Sequence, residues 1–102
     1  MAEFLRLYQS AVDPADVQEM HRLFLDDVMP VFVNAPGCLG IELTISVEPN
    51  AGGLVEGAAI SRWSSLEDMA TALASSEVQQ AVVRVREMLR QEPVSKVMQV
   101  LQ

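Results

Sequence analysis

Four side chains suited to chemistry occur once each in this sequence: Trp63, His21, Tyr8 and Cys38. Trp63 ends a largely apolar stretch over residues 54–63 and is followed at once by Ser64-Ser65-Leu66-Glu67. An indole so placed offers a flat face to an aromatic ligand and an N–H that can donate to a phenolate or a reduced oxygen species. Its other reading is a core tryptophan that pins a helix to a sheet. His21 has the proton affinity of a base working near neutral pH. It falls at the edge of an apolar helical stripe, where a part-exposed structural histidine is equally at home. Arg84 and Arg86 could hold a substrate anion through charge-assisted bonds; the plainer reading is surface cations near a helix end. The Tyr8 hydroxyl meets a ligand if its side of a first strand faces helices, and a dimer partner if it faces the other way. Cys38 has no basic neighbour in sequence to favour a thiolate, so it is not read as a nucleophile.

The elements that must position these groups are legible from periodicity. Residues 4–12 read as a strand, stopped by Asp13-Pro14, where Asp13 suits a helix N-cap and Pro14 the first helical position. Val17, Met20, Phe24, Val28 and Val31 then recur at three- and four-residue intervals, a helical stripe widened by Leu23. Pro30 predicts a kink or an end near it. After Pro36-Gly37, Leu39, Ile41, Leu43, Ile45 and Val47 alternate strictly with polar or small residues, the clearest strand signal in the chain. The turn-forming residues 48–53 return the chain as a hairpin through residues 54–63. Within that second strand Gly57, Ala58, Ala59 and Ser61 are small, leaving room above the sheet for a ligand or for close helix packing.

Ser64 with Glu67, and Ser76 with Gln79, have the spacing of helix capping boxes, so two helical pieces are predicted to start there. The second, with Val78, Ala81, Val82, Val85 and Leu89 on its buried side, is expected to run until Pro93. Residues 94–101 read as a last strand. The order β-α-β-β-α-β predicts a ferredoxin-like α+β domain over residues 1–102, a four-stranded antiparallel sheet with its helices on one face. The opposite face retains enough apolar residues to predict a homodimer through the sheet.

Composition narrows the partners. The net charge of −7, from 14 acidic and 7 basic residues, opposes a phosphate backbone, so no nucleic-acid partner is expected. One cysteine allows no internal disulfide and suits a reducing cytoplasm. A single Cys and a single His predict no zinc cluster, and no metal or other cofactor is assigned. The start of the chain lacks the basic and long apolar runs of a signal peptide, and no stretch approaches a membrane span. The expected setting is cytoplasmic, without a membrane.

Asp13-Pro14, Pro30, the turn Ala35-Pro36-Gly37-Cys38-Leu39-Gly40, and Arg62-Trp63-Ser64-Ser65-Leu66-Glu67 running into Leu73-Ala74-Ser75 together resemble the antibiotic-biosynthesis-monooxygenase family of dimeric α+β barrels. The resemblance covers nearly the whole chain. It implies a cofactor-independent monooxygenase acting on a small electron-rich aromatic, phenolic, quinol or anthrone-like, with Trp63 lining the pocket. The family's haem degraders use an asparagine on the first strand and a tryptophan and histidine in the second helical region. This chain has none of these there, so haem degradation is not expected. The oxygenase branch places an asparagine four positions before the strand-end tryptophan, where this chain has Ala59. Its members often carry histidines near the positions of Ala72 and Glu77. The candidate catalytic residues are therefore Trp63, His21 and Arg84, with Tyr8, Phe24, Ala59 and Ser61 around a small aromatic or apolar ligand. Two other readings remain: a dimer that binds a small molecule without chemistry, and an isomerase or lyase using His21 with a carboxylate such as Glu42.

Overall fold

A computed structural model describes residues 2–102. Strand β1 spans Glu3–Val12, and a continuous helical run over residues 14–33, called α1, follows it. The hairpin of β2 (Cys38–Ile45) and β3 (Val55–Trp63) comes next, then helices α2 (Leu66–Ala74) and α3 (Ser76–Arg86), and finally β4 (Val94–Val100). The four strands lie in the order β2-β3-β1-β4, and every pairing is antiparallel. This is the ferredoxin-like α+β arrangement that the element order predicts.

Period-two alternation sorts the sheet into two faces. Register places Phe4 opposite Trp63, Arg6 opposite Ser61 and Tyr8 opposite Ala59, so these six side chains share one face. Ile41 and Leu43 of β2 join them opposite Ser61 and Ala59. The helices cover this face: Phe24, Val28 and Phe32 of α1, Met69 and Ala72 of α2, and Val78 and Ala81 of α3 pack with Trp63 into the main core. The other face carries Leu5, Leu7, Ile60 and Met98, and no helix among the described residues packs over it.

Several local expectations are corrected. Helix α1 runs three residues past Pro30 to Val33, and the distortion expected near the proline takes the form of a π-helical segment, Phe24–Val28, in the turn before it. The Met29 N–H reaches back to the Phe24 carbonyl, which makes room for a residue that has no N–H of its own. One effect is that Phe32, at 3% exposure, is the buried residue after Val28, while Val31 is only partly buried. The cap of α2 is Ser65, whose hydroxyl accepts from the Asp68 N–H at 3.1 Å. Ser64 cannot complete a capping box, since its N–H already donates to the Gly37 carbonyl at 2.9 Å. Ser75, not Ser76, caps α3 by accepting from the Val78 N–H at 3.3 Å, and its hydroxyl also donates to the Ala72 carbonyl that closes α2.

Helix α3 stops at Arg86, well before Pro93, as its last carbonyls take tight three-residue bonds and the Arg90 N–H is captured by the Ala11 carbonyl at 2.8 Å. In β2 a bulge between Cys38 and Gly40 throws Leu39 out of the alternating row, and beyond Ile45 the strand ends, leaving Val47 fully exposed. Gly37 has φ +82°, and a Cβ there would collide with Asp68, so the turn into β2 requires glycine.

Candidate functional site

Between the covered face and the helices lie two adjoining cavity lobes of about 60 and 50 Å³. Tyr8, Met20, Leu43, Ala59 and Val85 belong to both and form the wall between them. The lobes exist because β3 is small where they open. At Gly57 a Cβ would stand 2.6 Å from the Thr44 carbonyl, so glycine lets the hairpin strands approach. Ala59, next along the same face, leaves the space that a larger residue would fill. The inner lobe, lined by Phe24, Val28, Phe32, Ile41 and Val82 besides the shared wall, is apolar except at one corner.

That corner is made by Arg6, Tyr8 and Ser61. Arg6 and Tyr8 are two apart on β1, and Ser61 faces Arg6 across the β1–β3 ladder. The Arg6 guanidinium lies over the Tyr8 ring, 5.2 Å from its centroid, a cation–π contact. Burial lowers the Arg6 proton affinity from its ordinary value, partly offset by the nearby Tyr8, and the group stays charged at neutral pH. The Tyr8 hydroxyl oxygen is buried and has no hydrogen-bond partner among the described residues. Ser61 is fully buried and accepts from the Trp63 indole N–H at 2.8 Å. With that acceptor position filled, the Ser61 hydroxyl proton is left to be given elsewhere. All three groups can therefore act as donors into the same corner.

Tyr8, Phe24, Ala59 and Ser61 come together around the inner lobe. Trp63 is one layer behind it: completely buried, with Phe32 edge-on at 6.2 Å between centroids, and set behind the lining residues Phe32 and Ser61. His21 is exposed on the outer side of α1 and lines neither lobe. Arg84 lies on the outer side of α3, 3.6 Å from the Asp27 carboxylate, beside a shallow surface depression. Glu42 alternates with Ile41 and Leu43 and so points to the uncovered face of the sheet, apart from His21. Among the described residues, no three His, Cys, Asp or Glu side chains gather where they could hold a metal ion. No described helix is long and apolar enough to cross a membrane. Sequence reading overlooked Arg6, since a lone arginine between Leu5 and Leu7 looks like a solvent-facing residue. The available signal was that Arg6 shares its strand face with Phe4 and Tyr8.

Solved structures share this fold. A provisionally assigned antibiotic biosynthesis monooxygenase from Caulobacter crescentus superposes with a TM-score of 0.79 at 21% identity, covering 99% of this chain and 92% of that one. A provisionally assigned antibiotic biosynthesis monooxygenase from Bordetella bronchiseptica gives a TM-score of 0.78 at 16% identity, covering 100% of both chains. An asparagine-to-alanine mutant of SnoaB, a cofactor-independent oxygenase from Streptomyces nogalater, gives 0.68 at 17% identity, covering 98% of this chain and 92% of that one. No family model matches the sequence, and no curated protein matches it. The resemblance to the antibiotic-biosynthesis-monooxygenase family is thus met in the fold.

Proposed function

We propose that this protein is a cofactor-independent monooxygenase that oxidises a small electron-rich aromatic in the cavity between sheet and helices. The observation that carries the reading is the cavity itself, apolar on all sides but one, on a fold shared with a cofactor-independent oxygenase. In such a reaction the deprotonated substrate gives an electron to dioxygen. The two radicals then join at carbon, and the hydroperoxide loses water to leave a carbonyl, so one oxygen atom enters product and the other leaves as water. The protein's part is orientation and exclusion of bulk water, a task suited to Phe24, Val28, Ala59 and Val85. Each lobe is smaller than the roughly 150 Å³ in which an apolar cavity holds a benzene ring. A ring must therefore span both, displacing the unbranched Met20 side chain from the wall between them. This favours single-ring quinols over anthrones.

The working unit is proposed to be a homodimer joined through the uncovered sheet face, whose Leu5, Leu7, Ile60 and Met98 form an apolar surface of the kind that marks an interface. A second reading, ligand binding without chemistry, is favoured by one observation: no carboxylate or histidine lines either lobe to act as a base.

Oxygen uptake separates the two. Hydroquinone and anthrone-type substrates, with no flavin, haem or metal added, should consume oxygen above the spontaneous rate with the native protein. Uptake should fall to that rate with Ala59→Leu, which fills both lobes, and drop less with Trp63→Phe, which removes the N–H that orients Ser61 and some of the ring volume behind the cavity. Uptake equal to the blank from a folded native protein would leave binding as the function.

A further inference from the structure

We infer that the corner formed by Arg6, Tyr8 and Ser61 is an oxyanion site, and that the cavity takes its aromatic ligand as the phenolate or enolate. The charge pattern is the first ground. Acidic residues outnumber basic ones 14 to 7, yet the only charged side chain on either lobe is an arginine. The pairing pattern is the second. Arg22, Arg62, Arg84, Arg86 and Arg90 each have a carboxylate within 4.0 Å, and Arg6 has none among the described residues. A half-buried guanidinium without a counter-ion is costly, and so is a buried phenol hydroxyl without a partner, as at Tyr8.

The third ground is that the nearby polar groups complement each other. Ser61 accepts from Trp63 and keeps its own proton to give, so the serine proton, the tyrosine proton and the guanidinium N–H groups can all turn to one acceptor. A neutral hydroxyl can exchange hydrogen bonds with Ser61 and Tyr8 but leaves the Arg6 charge without a counter-ion. An oxyanion has only acceptor positions, and its charge is the one Arg6 lacks. The ligand leaves its proton in water and enters as the species that gives up an electron most readily.

This inference rests on the cavity being the ligand site, and two single-ring probes separate that premise from the oxyanion claim. The first is 4-nitrophenol, whose anion is yellow; the second is 4-nitroanisole, its methyl ether, which cannot ionise. The native protein should bind the nitrophenol about 10- to 100-fold more tightly than the ether near neutral pH, the range expected for charge-assisted hydrogen bonds. The yellow form should also persist to lower pH when bound than when free. Arg6→Met should erase both effects while still binding the ether, and Arg6→Lys, which keeps the charge, should restore part of them. Folding of each variant is checked by the fluorescence of the buried Trp63. Equal affinity for the two probes, or a preference that survives Arg6→Met, overturns the oxyanion site. If the ether still binds and is lost in Ala59→Leu, the cavity stands without it. If neither probe binds the folded native protein, both the cavity reading and the oxyanion site fall. If the probes behave as expected but no substrate consumes oxygen, the oxyanion site stands and the oxygenase does not.

Discussion

The two faces of the sheet use similar strands for opposite ends. On the covered face, large side chains are concentrated at one end, where Trp63 and Phe32 meet, and small ones at the middle, where Ala59 and Ser61 leave a cavity. On the uncovered face, Leu5, Leu7, Ile60 and Met98 form a plain apolar surface, with the Arg62–Glu3 ion pair at 2.8 Å towards one end. The difference lies in where polarity is put. The uncovered face keeps its charges, the Arg62–Glu3 pair and the single Glu42 and Lys96, in contact with water, where they cost little. The covered face accepts one unpaired charge, Arg6, inside an otherwise apolar space. On the function proposed above, the outer face serves contact and the inner one selection, and the charge that sets them apart is the one kept out of water.

The comparison can be broken most sharply at Trp63. Trp63→Ala should cost about 3–5 kcal/mol of stability in urea denaturation, as for other buried large aromatic residues; a loss near 1 kcal/mol would mean that the covered face does not carry the fold. Ile60→Asp on the uncovered face should convert dimer to monomer in sedimentation, with little loss of binding to the cavity probes. If binding disappears with the dimer, the faces do not divide their labour as described. Arg6→Met should have the opposite sign to most core changes, raising stability by about 0.5–1 kcal/mol, or a few degrees in Tm. A fall in Tm would mean that Arg6 supports the fold. The smallest effect concerns Cys38, at the start of β2, whose thiol is pushed up in pKa chiefly by burial, partly offset by a hydrogen bond with the Gly40 backbone. Its contribution to stability is complete below the unfolded value of about 8.5 and is lost as pH climbs through the raised folded value. Cys38→Ala should therefore flatten the alkaline end of the Tm profile slightly.

The fold was legible because each strand and helix repeats its period over enough residues to be read locally. Residues 41–45 and the stripe from Val17 to Val28 are examples, and the strand order follows from the sequence of elements. The points missed depend on groups far away in the chain. Ser64 is disqualified as a cap by a carbonyl at Gly37, and the end of α3 is set partly by the Ala11 carbonyl taking the Arg90 N–H. The site was legible in part for the same reason. Small residues on β3 announce space, and Tyr8, Phe24 and Ser61 sit on elements whose facing side can be guessed. His21 and Arg84 drew attention through side-chain chemistry alone, and the structure sets both outside the lobes. Arg6 went unnoticed because its meaning comes from a carboxylate that is not there, and a missing neighbour leaves no mark on a sequence.

The widened turn in α1 has a further consequence, for how this helix could change. Met20, Phe24, Val28 and Phe32 are spaced by four, and in a regular α-helix each such step overshoots a full rotation by about 40°. Over three steps the row would wind away from the sheet. The five-residue bond from Met29 to Phe24 takes up one residue of slack and brings the thread back into phase. The helix is in effect two screws joined at a slip, Met20 on one and Phe32 on the other, both gripping the same cavity. Removing one residue at the slip would let the run close as one regular α-helix: the spacing becomes four, three and four, which keeps the row within about 60° of arc and both screws on the cavity.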